Sequence, residues 1–136
     1  IEVVANLGWL KDGDHPYVLR ELRDVVEAAD ERPVSVLLDA SLLSRDEIHL
    51  ASRLVLESGA KGITTAGSHR GTAIDIVCLI RQAVGEDLGL KVDQESFTVV
   101  EVAALIEAGV TRFGMARGAP LLESLQPPPC GPAGTG

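Results

Sequence analysis

Five short runs rich in apolar and β-branched residues punctuate the chain: IEVVAN at 1–6, PVSVLLDA at 33–40, GITTA at 62–66, LGLKV at 88–92 and RFGM at 112–115. Between them the apolar residues fall three and four apart, as they do on a helix with one buried face. Residues 16–30 put Val18, Leu22, Val25 and Val26 on one such face. Residues 44–58 open with Ser44 and offer Glu47 three positions later, a capping box, and bury Ile48, Ala51, Val55 and Leu56 before Gly59 ends the helix. The spacing predicts two further helices, over 71–84 and 98–108, the second followed by Gly109.

Strand starts recur roughly every 28 residues, the length of a strand–helix unit with short loops. Strands apolar on both sides, alternating with amphipathic helices, predict an α/β protein with a parallel sheet covered by helices. Two architectures fit these βα repeats. One is a partial (β/α)8 TIM barrel of five units, since a whole barrel takes about 250 residues. The other is an open doubly wound sheet. Residues 1–125 form the expected domain. The stretch QPPPCGPAGTG at 126–136 suits neither helix nor strand and reads as a disordered tail.

Composition narrows the function classes. A 46% hydrophobic fraction over 136 residues suits one folded domain with a real core. Twelve Lys and Arg against 20 Asp and Glu give a net charge of −8, which disfavours nucleic acid and anionic membrane as partners. No apolar run approaches a membrane span and no basic-then-apolar leader is seen. Cys78 and Cys130 make neither a disulfide framework nor a metal spacing, so a reducing, cytoplasmic setting is expected, with no metal or other cofactor. The only methionine is Met115, so Ile1 is not read as a translation start.

Parallel sheets present their chemistry at the carboxyl ends of strands. Asn6, Asp39, Thr64, Thr65, Lys91, Asp93 and Arg117 fall at or near those ends, and Glu2 lies earlier in the first run. Glu2, Asp39 and Lys91 interrupt otherwise apolar strands, where an ionised group must be paired, solvated or used. One reading is an ion-pair network in which Asp39 or Glu2 neutralises Lys91. The other is a lysine whose amine loses its proton readily and attacks carbonyl carbon.

The segments IEVVANLGWLKDGD, VSVLLDASLLSRDE, ESGAKGITTAGS, VGEDLGLKVD and LIEAGVTRFGMARG resemble, in order and spacing, the second part of deoxyribose-phosphate aldolase. The resemblance covers about residues 1–118. It implies a (β/α)8 barrel of which this chain supplies strands four to eight, without the first three. It also implies a lyase reaction in which 2-deoxyribose 5-phosphate is cleaved reversibly to acetaldehyde and glyceraldehyde 3-phosphate through a Schiff base on lysine. The family carries that lysine on the strand reading GITT here, where this chain has Thr64. Lys61 lies three residues earlier, facing the other way and nearer the wrong end.

By the same resemblance, Lys91 matches a second lysine that lowers the pKa of the first by like charge. Glu2 matches a proton-shuttling aspartate, and Asp39 falls where glutamate is frequent. The glycine pair that holds phosphate is replaced by Gln94 and Glu95, and a serine pair by Ala116 and Arg117. Arg117 could return one cationic contact. The loop GSHRGT is shorter than the family's and introduces His69 and Arg70, a candidate ligand contact together with Asn6 and Arg117. The expectation is therefore an aldolase-family protein that has lost the family activity, a pseudoenzyme binding a small aldehyde or a sugar-phosphate-like ligand. The alternative is a class I lyase using Lys91 on another carbonyl substrate, with Glu2 and Asp39 as proton shuttles. A five-strand piece leaves two bare edges, so a homo-oligomer, or an amino-terminal segment completing the barrel, is expected.

Overall fold

A computed structural model describes residues 1–66 and 73–125. Strands β1 (Glu2–Val4), β2 (Ser35–Leu38), β3 (Gly62–Ala66), β4 (Gly89–Gln94) and β5 (Arg112–Met115) alternate with helices. The helices are α1 (Leu7–Lys11), α2 (His15–Ala28), α3 (Arg45–Ser58), α4 (Ala73–Val84), α5 (Val99–Glu107) and α6 (Ala119–Leu125), and a 3-10 turn spans Ala40–Leu42. The tail at 126–136, with Cys130, and the loop residues His69 and Arg70 lie outside the described residues.

Local signals in the sequence account for the helix ends. Ser44 and Glu47 form the expected capping box on α3, and Gly59 closes that helix with φ of 87°, a left-handed conformation glycine adopts without steric cost. Thr98 and Glu101 make the same reciprocal box on α5. α1, which the sequence pattern did not announce, begins at Asn6, whose side chain accepts a hydrogen bond from the Trp9 amide at 3.4 Å.

All four strand pairings are parallel, and the strands lie side by side in chain order, β1-β2-β3-β4-β5. A doubly wound sheet reverses its strand order at a switch point. No reversal occurs here, so the doubly wound alternative is set aside in favour of an unclosed arc of barrel. Successive right-handed crossovers carry the helices over one face of the sheet, where α2 packs on α3, α3 on α4 and α4 on α5. Val36, Leu38, Ile63, Leu90 and Val92 point into this layer and are almost wholly buried against Val55, Val77, Ile80 and Leu105. Each such side chain contributes about 1.5–3 kcal/mol of burial.

Strand alternation sends the intervening residues to the opposite face. It also parts two neighbouring threonines. Thr65 points towards the helices, where its buried hydroxyl has no hydrogen-bond partner among the described residues, and Thr64 points to the open face.

Candidate functional site

The open face carries one register row across the sheet: Val4, Leu37, Thr64, Lys91 and Arg112. Glu2 lies two residues before Val4 and Asp93 two after Lys91, so both share that face. These positions bring Glu2, Ser35, Thr64, Lys91 and Asp93 into a single hydrogen-bonded cluster. Thr64 is 0% exposed, and its hydroxyl bonds to the Glu2 carboxylate. An ionised carboxylate only accepts, so Thr64 donates its single proton to Glu2. The Ser35 hydroxyl, 3.2 Å from Thr64 Oγ1, must then be the donor to Thr64.

Lys91 closes the cluster on its other side. Its Nζ stands 3.1 Å from Asp93 Oδ2 and 3.6 Å from Glu2 Oε1. The hydrogen bond that Lys91 donates to Asp93, aided by the charges of Asp93 and Glu2 and opposed by partial burial, raises the Lys91 pKa above the usual lysine value. The side chain therefore stays an ammonium, without the lone pair that a nucleophilic amine requires. It can hold a polarised oxygen or donate a proton. Asp93 reaches this position because Gly114 lies beside it on β5, where a Cβ would collide with the Asp93 carboxylate.

The other sequence candidates lie elsewhere. Asp39 does not pair with Lys91: it accepts from the Ser41 amide at 3.0 Å and the Ser41 hydroxyl at 2.5 Å, capping the 3-10 turn. An aspartate just after a strand suits a cap as well as a catalyst, and here the cap takes it. Asn6 is likewise occupied in starting α1. Arg117, the candidate anion contact, is paired at 3.1 Å with Glu95. Lys61 is exposed just before β3. Ser35 is the member of the cluster that the sequence reading did not single out, and Asp93, noted there at a strand end, was not read as the partner of Lys91. The two-residue step from Lys91 to Asp93 was the available signal, because it places both on one face. Among the described residues no three His, Cys, Asp or Glu side chains converge as a metal site, and no helix is long and apolar enough to cross a membrane.

Comparison with known proteins gives a consistent outcome. No family model matches the chain. It is 38% identical over 120 residues to deoxyribose-phosphate aldolase of Exiguobacterium sibiricum, covering 87% of this chain and 54% of that protein. It is 35% identical over 125 residues to the deoxyribose-phosphate aldolase of Streptococcus equi subsp. zooepidemicus, covering 90% and 57%. Among solved structures, an aldolase named QR15 superposes with a TM-score of 0.80 at 26% identity, over 90% of this chain and 57% of that one. The tetrameric deoxyribose phosphate aldolase of Aeropyrum pernix shares the fold, with a TM-score of 0.74 at 22% identity over 90% of this chain and 53% of that one. The chain is thus a relative of the deoxyribose-phosphate aldolases through nine-tenths of its residues, and it spans a little over half of their length.

Proposed function

We propose that this relative of the deoxyribose-phosphate aldolases does not perform the family's imine-based cleavage, and that its open-face cluster holds a small aldehyde or sugar-like ligand without a covalent bond. One observation carries the reading. Thr64, at the position that the resemblance assigns to the imine lysine, is buried and donates its hydroxyl to Glu2. A hydroxyl cannot form an imine. The nearest amine on that face, Lys91, supports the same conclusion, since two carboxylates keep it protonated. What remains is a donor–acceptor array: an ammonium, two carboxylates and two hydroxyls, suited to hydrogen-bonding a carbonyl and neighbouring hydroxyl groups.

Incubation with acetaldehyde and borohydride, read by intact mass and peptide mapping, tests this. No reduced adduct on any lysine is expected, together with no cleavage of deoxyribose 5-phosphate. A stoichiometric adduct on Lys91 would instead establish the relocated-amine reading. Thr64→Lys is expected to gain an adduct at position 64.

Among the described residues no strand pairs with the outer edges of β1 and β5, which motivates a second element of the reading. Parallel edges left bare recruit further strands. The working protein therefore has its edges paired, by additional βα units or by another copy of the chain. Native mass spectrometry is expected to give a mass above 14.3 kDa; a monodisperse species of that mass at micromolar concentration would refute it.

A further inference from the structure

We draw no further inference here: the strongest candidate, the exposed apolar surface patch on α5 and α6 that carries Val100, Ile106, Leu122 and Leu125, carries nothing further because nothing in the structure shows what covers it.

Discussion

The two faces of the sheet are built from alternate residues of the same strands, yet they answer to different physics. Ile63 and Thr64 are chain neighbours on β3, and both are buried. Ile63 is enclosed by aliphatic side chains from the helices. Thr64 is enclosed by Glu2 and Ser35 and by the flanking strands. One face is held by close packing, so its tolerance depends on volume. The other is held by proton donors meeting acceptors, so its tolerance depends on charge state and pH. A single strand therefore separates what keeps the molecule folded from what it can do.

Three substitutions would break or sharpen this contrast. Ile63→Ala, on the packed face, should cost about 3 kcal/mol through lost burial and a residual cavity, read as a lower denaturant midpoint; a loss below about 1 kcal/mol would mean the helix layer is loose. Thr64→Val keeps the shape but deletes the hydroxyl. It should cost about 1.5 kcal/mol, because Glu2 loses a donor while remaining partly hydrated. A cost equal to that of Ile63→Ala would erase the distinction between the faces.

Lys91→Met is expected to have the smallest effect near neutral pH, about 1 kcal/mol or less for a partly exposed pair, but a distinctive pH signature. The folded pKa of Lys91 is raised by Asp93 and Glu2. Its contribution is therefore fully present below the unfolded value of about 10.4 and is lost as pH rises through the higher folded value. The parent should lose stability in that alkaline window, and Lys91→Met should lose less there. Parallel alkaline limbs for the two proteins would show that the pair contributes nothing.

The regular parts of the molecule were legible in the sequence because their signals are local. The Ser44 and Glu47 box and the Gly59 stop lie within the helix they delimit, and all three behave as read. The repeat length announced a parallel sheet but left its strand order open between a barrel arc and a doubly wound sheet, and the observed succession is that of the arc. α1 escaped because five residues hold too little periodicity, and its cap, Asn6, also suited a strand end. The site was legible only in part. Glu2 and Lys91 stood out as charges in apolar strands, and they do pair. The choice of Asp93 over Asp39 as the other partner depends on which strand faces which, and on the missing side chain at Gly114. Neither fact is encoded in the neighbourhood of the aspartates themselves.

The strict succession of strands has a consequence for how the molecule assembles. Every βα unit touches chiefly the unit before it and the unit after it, so ordering can spread stepwise along the chain, as in a zipper, with short loops closing first. Gain or loss of a unit at either margin then leaves the interior joints untouched, which makes the arc modular in folding.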